Sequence, residues 1–561
     1  MAVATAVLLN GDDLTIDDVW SVAVERTPAA LTDDGRSKMA AARELVDRAA
    51  SESSGEHTYG INTGFGRFVS KAIPPELSDD GRSKMAAARE LVDRAASESS
   101  GEHTYGINTG FGRFVSKAIP PELSEELQLR LLRSHACGVG EPYPDEVVRA
   151  AMVLRANALA KGFSGARIET VELLLDCLNR GVLPLVPSRG SVGASGDLAP
   201  LAHLALPLVG EGSASYEGEL LTGADALARA GLEPVRLQAK EGLSLVNGTQ
   251  FMGAVGALGL VRARRIAKTA DIACALSLEA LQGSRVSFIP EIQALRPLAG
   301  QAAAAANVLR LLDGSAIIEA HRWCDKVQDA YSLRCAPQVH GASRDLLAYA
   351  EQNVAVEVNA ATDNPLVLVD KGELVSNGNF HGQPVALALD SMALAVAELA
   401  SISERRVERL VNPSLSDGLP AFLTHDGGLN SGFMIPQYVA AALVSENKVL
   451  CHPASVDSIP TSAGQEDHVS MGNAAGLKCW AVLGNVERAL AIELLAAAQG
   501  VEFLAPLEPG AGARAAHDFV RSLSPTVMED RTLAPDIELV ATAICSGELV
   551  AAVEAEVGEL A

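Results

Sequence analysis

Apolar residues in this chain gather into long alanine- and leucine-rich stretches, chiefly residues 249–281, Gln383–Val411, 437–450 and 474–498. Alanine and leucine are the strongest helix formers, and little proline interrupts these runs, so the pattern predicts long helices. Because apolar positions cover much of each helix's circumference, such helices must be buried on several sides, in a bundle or between subunits. Strand signals are short and local, as in GELVSNGNF at 372–380, and do not build a large sheet. The expected fold is mostly α, with a smaller mixed N-terminal region over 1–245 and a long-helix bundle over 246–561.

The pattern also repeats. Residues 33–78 recur without a single change as residues 79–124, a period of 46 residues in two copies. Solenoid repeats diverge and need about three or more units to bury a continuous core, so an identical pair points to a recent tandem duplication or to an assembly error in the gene sequence. One copy belongs to the working fold, and the other must loop out or pack as an extra element. Each copy carries SKMAAARELVDRAAS (from Ser83 in the second), an amphipathic helix running into a glycine-rich loop, and then the sequence YGINTGFG.

Composition narrows the function classes. With 48% hydrophobic and 20% charged residues the chain reads as an ordinary globular protein, and its formal net charge of −25 argues against phosphate backbones and anionic lipid as partners. The start, MAVATAVLLNGDDL, has no basic leader region, and no uninterrupted apolar run reaches the length of a spanning helix, so a cytosolic location is expected. Eight cysteines without a CxxC pair read as reduced, mostly buried thiols. The eleven histidines show no HExxH or comparable ligand spacing, and no intrinsic metal is expected.

Candidate chemistry centres on GSVGASGDLAPLAHLA, residues 190–205. Taken plainly, it is a Gly/Ser turn followed by a helix that Asp197 can cap, with Pro200 tolerated in the first turn. A nucleophile elbow fails, because Ser195 is flanked by Gly193, Ala194, Gly196 and Asp197 rather than by G-x-S-x-G; a Walker loop fails for want of a Gly-Lys-Ser/Thr. Small residues on both sides of Ser195 do permit the Gly196 nitrogen to approach the Ala194 carbonyl, since glycine lacks the Cβ that would obstruct it. Cyclisation with loss of two waters would turn Ser195 into a dehydroalanine within an imidazolone ring.

At these sixteen residues the chain resembles the ammonia-lyases and aminomutases that carry 4-methylideneimidazole-5-one (MIO). Further blocks resemble the same family in the same order: YGINTGFG, SHACGVGEP from Ser134, GFSGAR from Gly162, EGLSLVNGTQ from Glu241, QDAYSLRCAPQ from Gln328, DNPLV from Asp363, GNFHGQPVA from Gly378, ERR from Glu404, NSGFMI from Asn430 and PTSAGQEDHVSMG from Pro460. Within that family the chain is most similar to the histidine ammonia-lyases, over nearly its whole length apart from the additional 46 residues. The resemblance implies an L-aspartase-like homotetramer with active sites shared by three subunits. It also implies L-histidine as substrate, trans-urocanate and ammonia as products, the first step of histidine degradation, and no external cofactor. Expelling ammonia while an unacidic β-proton leaves calls for an electron sink that ordinary side chains do not supply, and no pyridoxal-phosphate lysine context is found.

Residue roles follow from chemistry and resemblance together. Ala194, Ser195 and Gly196 would form the MIO. Tyr105, or its twin Tyr59, would be the general base, provided its surroundings depress a phenol pKa of about 10. Asn247 would hydrogen-bond the MIO carbonyl, and Arg334 offers a rigid fork for the substrate carboxylate. Tyr331 and Gln328 belong to the Arg334 motif and would line the pocket, with Phe380 packed nearby. His135 and Glu466 set substrate choice: aromatic ammonia-lyases place Phe-Leu or His-Leu where this chain has Ser134-His135, and lack the run Gln465–His468. A polar histidine and a carboxylate suit an imidazole better than a phenyl ring. The copies being identical, Tyr105 is chosen over Tyr59 only because the second copy runs directly into the helix ending at His135. The rivals are a tyrosine or phenylalanine ammonia-lyase or aminomutase, a non-catalytic helical scaffold inactivated by the duplication, and, least favoured, a serine hydrolase.

Overall fold

The computed structural model describes residues 6–36, 92, 109, 111, 123–322, 326–371 and 373–561. Tyr59, Tyr105 and the helix read from Ser83 lie outside the described residues, apart from Val92, which is helical and fully buried. Of the YGINTGFG loop of the second copy, Thr109 is described and fully buried, and Phe111 is half-buried.

The long helices stand where the hydrophobic pattern puts them. Gln250–Ala280 and Gln383–Val411 match the expected stretches, Met434–Leu450 begins slightly ahead of its own, and Gly472–Glu502 outruns its own at both ends. The strand signal at 372–380 resolves into a shorter strand, Glu373–Val375, antiparallel to Leu366–Leu368. Beyond it Asn377 bends the chain, its Nδ2 donating to the carbonyls of Asp363 and Val375 while its Oδ1 accepts from the Asn379 amide. Among the described residues no sheet exceeds three strands.

Two compact units are each assembled from separate stretches of chain. The first comprises Met1–Leu258, Gln352–Ala388 and Pro453–Leu477; the second comprises Gly259–Glu351, Leu389–His452 and Lys478–Ala561.

In the first unit the helix Asp145–Ala160 is the buried centre, with every residue from Val147 to Ala160 inside, and it packs against Ile16–Ala23 and Ile168–Arg180. Local sequence explains those neighbours. Thr15 and Asp18 form a reciprocal capping box at the start of Ile16–Ala23, and Gly181, at φ 78°, ends Ile168–Arg180 in the left-handed conformation glycine adopts freely. The carbonyls left open at both helix ends are met by buried Arg149, which donates to Val22, Ala23 and Leu178.

The second unit is a helix bundle. Small residues let its helices approach closely: a Cβ added to Gly259 would stand 2.9 Å from Met392 Cε. Charges inside it are paired. Arg406 and Glu493, both fully buried, meet at 2.5 Å; Arg262 meets Glu487 at 2.7 Å; and Asp271 receives His340 at 2.7 Å and Arg344 at 2.5 Å. Such pairs add little net stability, but losing one partner strands a buried charge, so they hold the helix register. By length and composition the helix Gln383–Val411 could cross a membrane, although Asp390 and Glu398 interrupt it and 67% of its most apolar window is buried within the protein.

Candidate active site

The Gly190–Asp197 loop joins the strand Pro187–Arg189 to the helix Leu198–Ala205 in the first unit. Three distant segments of that unit hold it. From the 470 region, Ser470 Oγ donates to the Gly193 carbonyl at 3.0 Å and the Met471 amide to the Val192 carbonyl at 2.8 Å. Gly382 donates to the same Gly193 carbonyl at 3.3 Å, and the Asp197 amide donates to the Gly248 carbonyl at 2.7 Å. Gly196 lies at φ 70° in a parallel bridge to Gly248, and a Cβ there would collide with the Gly248 carbonyl. Only glycine fits.

Asp197 does not cap the helix that follows it. It occupies the N-cap position, but its side chain makes no capping bond. Instead it is fully buried and accepts from the Met252 amide at 2.9 Å and from Ser191 Oγ at 3.0 Å, which tie the loop to the helix Gln250–Ala280. The reason is tertiary: Met252 offers one of the open amides of that helix's first turn. Burial pushes the Asp197 carboxyl up to about 7, against the opposing pull of these hydrogen bonds.

Within the triplet, the Ala194 carbonyl and the Gly196 amide take part in no backbone hydrogen bond among the described residues. Ser195 Oγ donates to Glu466 Oε1 at 3.4 Å, and Glu466 Oε2 accepts from Thr461 Oγ1 at 2.6 Å. Glu466 is aimed by a tight turn in which Thr461 and Glu466 pair backbone to backbone, with Ser462 and Ala463 both at positive φ. His135 closes the helix Ser124–His135. A carbonyl can only accept, so Nδ1 donates to Leu131 at 3.0 Å and Nε2 is left as the acceptor. Burial holds the His135 pKa below its ordinary value, against the opposing pull of the Leu131 hydrogen bond and the charge of Glu466.

Asn247 follows the short helix Glu241–Val246 and is buried. Its Nδ2 donates to the Asn364 carbonyl at 3.1 Å and lies 3.4 Å from Asp363 Oδ1, while Oδ1 is buried without a partner among the described residues. In this orientation the end of the amide left without a partner among the described residues is an acceptor, which cannot bond to a carbonyl, so the donor role toward the MIO carbonyl expected of Asn247 does not fit this arrangement. Phe380 is half-buried two residues before Gly382, whose amide holds the loop. Next to it, His381 stacks on His468 at 5.8 Å and donates to the His468 carbonyl.

The remaining site residues belong to the second unit. Gln328 is exposed, Tyr331 is 71% exposed, and Arg334 lies over the Tyr331 ring at 4.5 Å while its Nε donates to the Asp329 carbonyl at 3.0 Å. Arg334 makes no ion pair among the described residues. Arg406, anchored on Glu493, also donates to the Ser332 carbonyl at 3.3 Å, which steadies the short helix Tyr331–Arg334. No cluster of three metal-ligating side chains occurs among the described residues.

Residue reasoning did not single out Asp363, Lys240, Arg155 or Ser470, all of which buttress the site. Asp363 and Ser470 stand inside blocks that carry the family resemblance; Lys240 and Arg155 carried no local signal.

Comparison with known proteins bears on this constellation directly. The sequence profile described as aromatic amino acid lyase matches residues 14–80 and 75–522, two stretches that meet at the seam of the duplication. A histidine ammonia-lyase of Gloeobacter violaceus is 57% identical over 553 residues, covering 99% of this chain and 98% of that protein. One from Myxococcus xanthus is 56% identical over 547 residues, covering 98% of each. Among solved structures, histidine ammonia-lyase from Trypanosoma cruzi superposes with a TM-score of 0.83 at 43% identity, covering 99% of this chain and 96% of that one. Tyrosine aminomutase from Streptomyces globisporus gives 0.86 at 36% identity, covering 99% and 100%. The glycine-locked triplet, the Glu466 carboxylate beside its serine and full-length likeness on this scale have one meaning: the chain belongs to the aromatic amino acid lyase family.

Proposed function

We propose that this protein removes ammonia from L-histidine without oxidation, giving trans-urocanate, at a site built around Ala194-Ser195-Gly196. The observation that carries this reading is the setting of Ser195. Its hydroxyl bonds to Glu466 in a loop whose amide and carbonyl for ring closure are uncommitted, and whose last residue tolerates no Cβ. These residues fit the MIO group: Gly196 N can bond to the Ala194 carbonyl carbon, and two waters leave, one from that carbonyl oxygen and one from the Ser195 hydroxyl. Once formed, the group supplies a methylidene carbon electrophilic enough to accept an amine, making it a leaving group.

The chain's own side chains do the rest. His135 Nε2, open to accept, and the Glu466 carboxylate suit the N–H of an imidazole better than the apolar edge of a phenyl ring, which favours histidine. Arg334 holds the substrate carboxylate, with Gln328 and Tyr331 beside it and Phe380 against the ring. Tyr105 takes the β-proton in preference to Tyr59; the burial of Thr109, four residues on in the same copy, supports that choice. Asn247 is the polar partner at the reacting amine. Because Tyr331 stands in solvent in a single chain, the reading includes a homotetramer that covers it, a role that suits the exposed Ile435, Tyr438 and Val439 face of Met434–Leu450. The seven described cysteines are all free, in keeping with a cytoplasmic location.

The test is near-ultraviolet absorbance of the purified chain with L-histidine. Urocanate should accumulate without added cofactor, and Ser195→Ala should abolish it together with the two-water mass deficit. Preference for tyrosine in a competitive assay would defeat the roles given to His135 and Glu466.

A further inference from the structure

Behind Asn247 lies a fully buried ion pair that the reaction chemistry does not itself require. Lys240, at φ 67° and with no exposed surface, donates through Nζ to Asp363 Oδ2 at 2.5 Å and to Ser244 Oγ at 3.1 Å. The other carboxylate oxygen, Asp363 Oδ1, accepts from the Asn364 amide at 2.7 Å and faces Asn247 Nδ2 at 3.4 Å. The Asn364 carbonyl takes the same Nδ2 at 3.1 Å, and Asn377 fixes Asn364 by donating to its side-chain oxygen at 2.9 Å. Arg155, also buried, donates to the Asn247 carbonyl at 2.8 Å and to Gln250 Oε1 at 2.7 Å, which pins the backbone of the turn. One end of the Asn247 amide therefore meets only acceptors. Rotating the amide by half a turn would set Oδ1 against a carboxylate and a carbonyl, so the amide has a single allowed polarity, with Oδ1 buried and without a partner among the described residues.

We infer that Lys240 and Asp363 are positioning residues that act through Asn247: the pair fixes the Asn247 amide so that its oxygen is offered as an acceptor for the amino group of the substrate. The inference rests on the L-histidine reading above. Lysine enforces it because its ammonium has only donors, so the Asp363 oxygen facing Asn247 must stay an acceptor. Burial of both charges keeps water from competing for them.

Polarity gives the test. In Asp363→Asn the Lys240 ammonium claims the new amide's oxygen, which turns its NH₂ toward Asn247 Nδ2. Donor then opposes donor at residue 363 while the Asn364 carbonyl still calls for one, so the Asn247 amide loses its single allowed polarity. In the double variant Lys240→Met/Asp363→Asn that claim is gone, the new amide presents its oxygen to Asn247, and the original polarity returns. Calorimetric titration in the Ser195→Ala chain reads binding apart from turnover, with L-histidine and with trans-urocanate, which lacks the amine. The expected result is L-histidine affinity about tenfold or more weaker in Asp363→Asn, with urocanate affinity unchanged. In the double variant L-histidine affinity should return to within about threefold of the starting value. Both ligands weakened together, no weakening, or no recovery in a folded double variant would overturn the positioning role. If the Ser195→Ala parent binds urocanate no better than an unrelated carboxylate, and the intact chain leaves L-histidine unchanged, the substrate reading itself fails.

Discussion

Asp197 shows how a residue's position in sequence can mislead about its work. In the sequence it is a helix cap; in the fold it is a buried acid joining the reactive loop to the first turn of Gln250–Ala280. Its pKa of about 7 against an ordinary value of 3.8 has a signed consequence. Between roughly pH 4 and 7 the unfolded chain has lost this proton while the folded one keeps it, so stability falls as pH rises through that window. Glu279, a buried acid of the second unit also raised to about 7, contributes with the same sign. Urea midpoints measured from pH 4 to 8 should therefore show Asp197→Asn gaining on the unaltered chain as pH rises, at up to about 1.4 kcal/mol per pH unit, with the Glu279 slope persisting. Parallel curves would mean that Asp197 is ionised in the fold.

At the scale of elements, the reactive loop owes its shape to other segments. The Gly196–Gly248 bridge, the Gly193 carbonyl shared by Ser470 and Gly382, and the Asp197 clamp fix the triplet from three sides. Gly196→Ala puts a Cβ into the Gly248 carbonyl at a φ that alanine rarely adopts. The expected outcome is a chain lacking the two-water mass deficit and at least about 2 kcal/mol less stable in urea. Helix ends can be tested independently of function. Thr15→Ala removes the side-chain half of the capping box on Ile16–Ala23 and should cost about 1 kcal/mol without changing turnover.

For the whole molecule, the questions are which copy serves the site and how many chains complete it. If the second copy serves, Tyr105→Phe should lower kcat by about a hundredfold or more while Tyr59→Phe leaves it near the unaltered value; the reverse pattern would assign the first. Placing carboxylates on the exposed apolar face with Ile435→Asp and Tyr438→Asp should shift light-scattering mass from four chains to fewer and take activity with it. Full activity in a single-chain species would refute the shared site.

Helical periodicity and composition are local properties, so the long helices from 250, 383, 434 and 472 were legible in the sequence alone, as was the small size of the sheets. The triplet Ala194-Ser195-Gly196 could be proposed from the sequence as well, because the chemistry suggested for it depends on the identity of three adjacent residues. Tertiary structure alone decided the inward role of Asp197, the meeting of Ser195 with Glu466 across 271 positions, the polarity of the Asn247 amide, and the assembly of two units from interleaved stretches. Those features rest on contacts between residues far apart in the chain, where burial and hydrogen-bond partners, rather than residue type, determine what each group can do.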